Sequence, residues 1–358
     1  MKRLIIGIFL WLSMAGLAYA YEESAIVKVM DVVEEKEMDF DGIKQPYQLL
    51  EAVIIKGENT GETIYISNGE YLAANVRSYQ AGDKLVVGLE KMEGEADYYY
   101  IVDFVRTDAL AKLVVIFVVV TLVVAKWRGF WSMVAMALSF GIIFKFILPN
   151  ILAGSNPIMV AVGGALAIVP VTFYMSHGLN KKTTVAVVAT IITLIITGIL
   201  AVVFVEMSKL TGLAAEEAGF VVSEMGNKIN LKSLLLAGII VGVLGVLDDV
   251  TVSQAGVVEK LSQAGGMDKY GVYKKAMEVG RDHIASMVNT LILVYAGASL
   301  PLLLLFVNNP HPFDEIINYE VVADEIVRTM VGSIGLVLAV PIATALAVFW
   351  FEKGREKR

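Results

Sequence analysis

The chain has no cysteine, so it offers neither a disulfide framework nor a thiolate metal site. Its three histidines, His177, His283 and His311, stand too far apart in sequence to form a ligand motif, and each reads as a lone polar residue; no metal and no cofactor is expected. Charge is scarce at 18% of 358 residues, and the net charge of −7 leaves no basic cluster outside short loops and the tail, which argues against nucleic-acid binding. Nucleophile elbow, phosphate loop and metal-binding helix motifs are all missing, so no enzyme activity is expected. What the chain has instead is apolar sequence: 57% of its residues are hydrophobic and the mean hydropathy is +0.69, far above a soluble protein of this length. The expected partner is the lipid bilayer.

Residues 1–20 begin with Lys2 and Arg3, continue as an apolar run from Leu4 to Leu17 and end Ala18-Tyr19-Ala20, the pattern of a secretory signal. As a helix that run reaches about 21 Å against a hydrocarbon core of ~30 Å, which disfavours a permanent span; cleaved signal and uncleaved anchor both stay open. From 21 to 106 polar and apolar residues alternate. Strands are expected at Ala25–Glu35, Tyr47–Lys56, Glu62–Ser67, Lys84–Lys91 and Tyr98–Val105, separated by Asp41-Gly42, Asn59-Thr60-Gly61, Asn68-Gly69 and Gly82-Asp83. Five short strands suit a small all-β domain, an OB-like barrel, but no aromatic row or basic groove marks a ligand.

From 107 to 352 hydropathy stays high, and seven spans are expected: Leu110–Ala125, Gly129–Leu148, Pro157–Met175, Thr183–Val205, Ser233–Val258, Ile284–Val307 and Ile326–Trp350. With the β domain outside, the inner loops and the basic tail at 353–358 carry thirteen basic residues: Lys126, Arg128, Lys181, Lys182, Lys260, Lys269, Lys274, Lys275, Arg281, Lys353, Arg355, Lys357 and Arg358. The outer loops 149–156 and 308–325 carry none, and 206–231 carries Lys209 and Lys228 among four glutamates. Signal, β domain and loop charge therefore agree on a multi-pass plasma-membrane protein with an extracytoplasmic β domain and a cytoplasmic C-terminus.

Inside the fifth span lie two adjacent acids, Asp248 and Asp249. A charge near the bilayer centre costs roughly 2.5–3.5 kcal/mol on insertion scales, which makes an intramembrane acid a functional candidate by default. Gly238, Gly242, Gly245, Asp249 and Ser253 share one helical face, where small residues invite close helix packing, while Asp248 lies about 100° round the helix beside Thr251. On the sixth span Ser286, Asn289 and Thr290 form a polar row able to face the acids, and with Thr251 and Ser253 they make up the expected polar lining. No lysine or arginine lies mid-span nearby, so a proton or a cation is the natural neutraliser. The alternative is that both acids sit at the cytoplasmic end of a shorter helix and reach water. Two adjacent carboxylates on one helix diverge by about 100°, so an aspartyl-protease dyad is excluded.

Three runs, Gly178–Thr183, Gly242–Gln254 and Gly280–Leu293, resemble the YibE/F family of bacterial membrane proteins over roughly 110–352. That resemblance implies a multi-spanning membrane protein of the kind described as a permease. The run Gly245–Val250 also resembles the paired-aspartate helix of the RND exporters and of SecD/SecF, which implies that Asp248 and Asp249 carry the coupling proton. Those proteins have two halves where this chain has one, and a homodimer could supply the other. Two functions are thus in view: a proton- or ion-coupled transporter of an unidentified small molecule or ion, and a non-transporting accessory or sensory protein whose β domain binds a partner.

Overall fold

The computed structural model describes residues 24–57, 59–73, 76–90, 98–214, 216–225, 229–308 and 312–353. The signal expected at 1–20 and tail residues 354–358 lie outside them. The chain forms two compact units, one through Val123 and one from Val124.

The first unit carries all five expected strands: β1 (Ser24–Phe40), β2 (Ile43–Lys56), β3 (Thr63–Asn68), β4 (Lys84–Glu90) and β5 (Tyr98–Phe104). Their alternation buries one face, with Val27, Val29, Leu50, Ala52, Ile54, Ile66, Leu85 and Val87 at its core. Asp41 and Gly42, both at positive φ (51° and 91°), close the β1–β2 hairpin in two residues. The sheet is antiparallel in the order β3-β2-β1-β4-β5. Among the described residues no ladder joins β3 to β5, so in place of the closed OB-like barrel expected from the strand count they form an open five-stranded sheet. Closure requires the edge strands to meet in a staggered register, a non-local condition that strand count does not contain.

Two buried glutamines hold the loop after β3 to this sheet. The Gln48 amide accepts from Tyr79 N at 2.7 Å and donates to Tyr79 O at 3.2 Å, and Gln45 donates to Gly69 O and Tyr71 O while accepting from Ala73 N. Side-chain amides thus replace the strand that this loop's backbone lacks.

The rest is helical: α1 (Thr107–Ile142), a π-helical turn at Ile143–Ile147, α2 (Leu148–Leu152), α3 (Pro157–His177), α4 (Lys181–Met207), α5 (Glu216–Met225), α6 (Leu231–Ala264), α7 (Lys269–Ala298), α8 (Leu300–Asn308), α9 (Phe313–Ile316) and α10 (Glu320–Lys353). Asn156, Asn180, Asn230 and Asp268 cap α3, α4, α6 and α7 by accepting from first-turn backbone N–H groups. Among the described residues five helical stretches are long and apolar enough to cross a membrane: Thr107–Leu152, Pro157–His177, Lys181–Met207, Leu231–Ala264 and Glu320–Phe351. The expected first and second spans fall within the 46-residue stretch Thr107–Leu152, whose backbone leaves helical geometry at Lys126 (φ 51°, ψ −131°). The expected sixth span is divided at Ser299 between α7 and α8, and α7 begins in charged sequence, so that segment does not form one membrane-length apolar helix. Within the second unit α6 is the most enclosed of these helices, with 61% of its apolar window buried, and it packs against α3, α4, α7 and α10.

The Asp103 carboxylate, at the end of β5, accepts from Arg106 Nη1 (2.6 Å) and Nη2 (2.8 Å) and from Phe104 N, and these bonds lower its pKa from 3.8 to about 2. Folding therefore gains from this group above its unfolded pKa, and the gain disappears as pH falls from about 4 towards 2. Carboxyl-carbon NMR titration should place the Asp103 midpoint near 2 in the wild type and closer to 3.8 in Arg106→Gln.

Candidate functional site

The site is built along α6. Its buried side meets the neighbouring helices through polar contacts: Thr251 Oγ1 and Thr190 Oγ1 of α4 lie 2.8 Å apart, both fully buried, and Thr251 also donates to Leu247 O at 2.9 Å. Three residues on, Gln254 Nε2 donates to Ala276 O of α7 and to Thr344 Oγ1 of α10, each at 2.8 Å, and Thr344 in turn donates to Val340 O at 2.7 Å. Each of these groups reaches a protein partner, as a water-poor interior demands.

Asp248 sits at the edge of this network. Its side chain is 29% exposed, yet Oδ1 is enclosed and accepts no hydrogen bond from a described residue; His177 Nε2, in the last turn of α3, stands 3.7 Å away. That separation suits an ion pair if the imidazole is protonated and is too long for a good hydrogen bond. His177 also lines a cleft of about 510 Å³ with Arg128, Trp131, Tyr174, Met175, Ser176, Gly178 and Lys182.

Asp249 is exposed, and so are Gly238, Gly242, Gly245 and Ser253, so the face they were expected to share does exist. Within one chain it is uncovered. A β-carbon built at Gly238 or Gly245 would meet no atom within 4 Å, and one at Gly242 would just reach Tyr295 Oη at 4.0 Å. Among the described residues of this chain, none packs closely against these glycines. Close packing falls to other glycines, for a β-carbon at Gly280 would lie 2.5 Å from Val340 Cγ1 and 3.0 Å from Gln254 Nε2, and one at Gly335 would lie 2.3 Å from Thr197 Oγ1.

Ser286, Asn289 and Thr290 are likewise exposed on α7. The Ser286 and Thr290 hydroxyls turn back onto their own helix, to Asp282 O (3.3 Å) and Ser286 O (2.9 Å), and no hydrogen bond joins this row to either aspartate. Thr251, expected as lining, is instead a core contact.

Sequence reasoning passed over His177, Thr190, Gln254 and Thr344. No periodic signal marks them, because each acquires its partner from a distant helix. It also passed over a buried acid at the far end of α10, where Asp324, 7% exposed, pairs with Arg328 at 3.2 Å and neighbouring Glu320 accepts from Thr211 Oγ1 and Gly212 N. The i, i+4 spacing of Asp324 and Arg328 is a signal that could have found that pair.

The family model described as YibE/F-like protein matches residues 113–353. No curated protein and no solved structure matches the chain.

The two sets of glycines separate experimentally. Gly280→Leu should destabilise the helical unit by about 1–3 kcal/mol through overpacking, whereas Gly238→Leu should leave the monomer's stability within roughly 0.5 kcal/mol of wild type. Denaturant unfolding in detergent micelles measures both.

Proposed function

The chain belongs to the YibE/F-like family, and we propose that it is a membrane transporter of a small molecule or ion, coupled to protons or cations through Asp248 and Asp249. In this reading the membrane is crossed seven times: the Thr107–Leu152 stretch folds back at Lys126, and the end of α7 together with α8 makes the sixth crossing. The sheet lies outside, and the basic loops and C-terminus lie in the cytoplasm. Asp248 and Asp249 carry the coupling proton or cation, with Ser253, Ser286, Asn289 and Thr290 as the surrounding polar surface. A second copy covers the open face of α6. No bond-breaking chemistry is assigned.

One observation carries the reading: an enclosed Asp248 Oδ1 without a hydrogen bond, 3.7 Å from the imidazole of His177. An enclosed carboxylate oxygen ordinarily accepts from a donor, as the nearby Gln254 and Thr251 have partners of their own. An unsaturated one beside an imidazole is placed to take up a proton, pass it on, or exchange it for a cation. Asp249, one position on and exposed, supplies a second carboxylate with free access. The imidazole favours the proton over a metal ion, since no cluster of three metal-binding side chains occurs among the described residues.

In proteoliposomes holding a pH-sensitive dye, with a potential imposed by a potassium gradient and valinomycin, the wild type should carry protons. Asp248→Asn should slow that flux by roughly 100-fold, the order expected when a positioned proton-transfer group is removed, and His177→Gln should act in the same direction. Wild-type rates in both Asp248→Asn and Asp249→Asn would sink the coupling assignment. The orientation has its own check, because the chain lacks cysteine and any introduced thiol is unique. A membrane-impermeant maleimide should label Thr60→Cys in spheroplasts and Gln263→Cys only after lysis.

A further inference from the structure

The cleft beside His177 combines features that the coupling reading does not use. Two permanent cations line it, Arg128 just after the backbone break at Lys126 and Lys182 in the first turn of α4. Neither forms an ion pair with a carboxylate of a described residue, and no acid is among the lining residues. Asp248 is not among the lining residues, and its carboxylate lies 3.7 Å from His177 Nε2. The cleft therefore presents unneutralised positive charge in a concave volume of about 510 Å³, room for several times the ~30 Å³ that one water occupies.

α3 ends at His177 and α4 begins at Lys181, so in the proposed topology the turn between these two membrane-length helices, and the cleft with it, falls at the level of the lipid headgroups. Trp131 and Tyr174 line it, and Trp131 belongs to an aromatic cluster with Trp127 and Phe130 at centroid separations of 5.0–6.2 Å. Amphipathic rings of this kind favour that interface. The Tyr174 hydroxyl and Thr184 Oγ1 lie 3.2 Å apart, linking α3 to α4, and the Lys182 stem runs over Gly256 of α6, whose β-carbon position is 3.5 Å from Lys182 Cδ. Loop charge asymmetry alone would scatter basic residues over this end. It does not require Lys182 to converge with Arg128 on a cleft while the adjacent Lys181 stays outside.

We propose that this cleft binds a phosphate-bearing anion, either the headgroup of an anionic membrane lipid or free phosphate. The planar guanidinium of Arg128 can take two phosphate oxygens at once, Lys182 contributes a point charge, and the Ser176 hydroxyl and Trp131 indole are further donors on the wall. The assignment does not depend on transport.

The test uses the full-length protein in nanodiscs. One arm titrates inorganic phosphate into discs of phosphatidylcholine alone and follows tryptophan fluorescence. The other compares lipid retained by the protein, by native mass spectrometry, after assembly with phosphatidylglycerol present. Binding in the first arm identifies free phosphate, and retention in the second alone identifies a headgroup. In whichever arm binds, Arg128→Gln and Lys182→Gln should each weaken binding by roughly tenfold or more, as the loss of one charge-assisted hydrogen bond does. Lys181→Gln should change it by less than about twofold, and the charge-keeping Arg128→Lys and Lys182→Arg should retain most of it, which separates loss of the site from loss of the fold. The proposal is overturned if the wild type binds neither probe, if the Arg128→Gln/Lys182→Gln double variant binds like the wild type, or if Lys181→Gln weakens binding as much as Lys182→Gln.

Discussion

The helical unit depends on one constraint: a polar side chain enclosed among apolar helices has to find its partner within the chain. On α6 that constraint fixes the neighbours. Thr251 takes Thr190 from α4, and Gln254 takes the Ala276 carbonyl from α7 and the Thr344 hydroxyl from α10. Each such bond is worth little when made, about 0.6 kcal/mol on average within membranes, but a buried amide left without partners costs several times more. The contacts therefore act mainly as a register. A slide of α7 or α10 along α6 would strip Gln254 of a partner, and a slide of α4 would part Thr190 from Thr251. Glycines stand where these polar side chains need room, Gly280 against Gln254 and Gly335 against Thr197.

Asp248 departs from that rule, as Ser262 Oγ, Asp324 Oδ1 and Ser333 Oγ also do elsewhere in the unit. It occupies the same helix about one turn before Thr251 and two before Gln254, is partly enclosed, and has a histidine in reach of an ion pair in place of a hydrogen-bond donor. The register contacts explain why the deviation can persist. With α6 held by neutral bonds to three neighbouring helices, its position does not rest on Asp248.

The strands were legible from alternation and turn residues because both are local: all five lie where period two and the Gly and Asn punctuation place them. Closure of the sheet was not, since it depends on how far β3 and β5 stand apart. Hydropathy located the apolar helices but not the division at Ser299, where the local backbone interrupts a continuous apolar run. For α6 the 3.6-residue period correctly grouped Gly238, Gly242, Gly245, Asp249 and Ser253, yet it could not say which way the group faces. Apolar residues surround this helix almost evenly, so the pattern lacks the contrast that would orient it, and the buried side turned out to be that of Leu247, Val250, Thr251 and Gln254. His177 illustrates the same limit. Read alone it is a polar residue at a helix end, and only the packing of α3 against α6 brings it to Asp248.

Adjacency on a helix also decides what the two acids can do together. Successive side chains point about 100° apart, so on a helix packed on one side they cannot share an environment. Asp248 is directed towards His177, and Asp249 towards the open face. A symmetric pair sharing one proton requires converging carboxylates, which this arrangement forbids. What it permits is a division of labour along a short path, one carboxyl exchanging freely and the other held against an imidazole that itself borders a cationic cleft. In that arrangement His177, rather than either acid, is the residue on which the two parts of the site meet, because it lies 3.7 Å from Asp248 and lines the cleft together with Arg128 and Lys182.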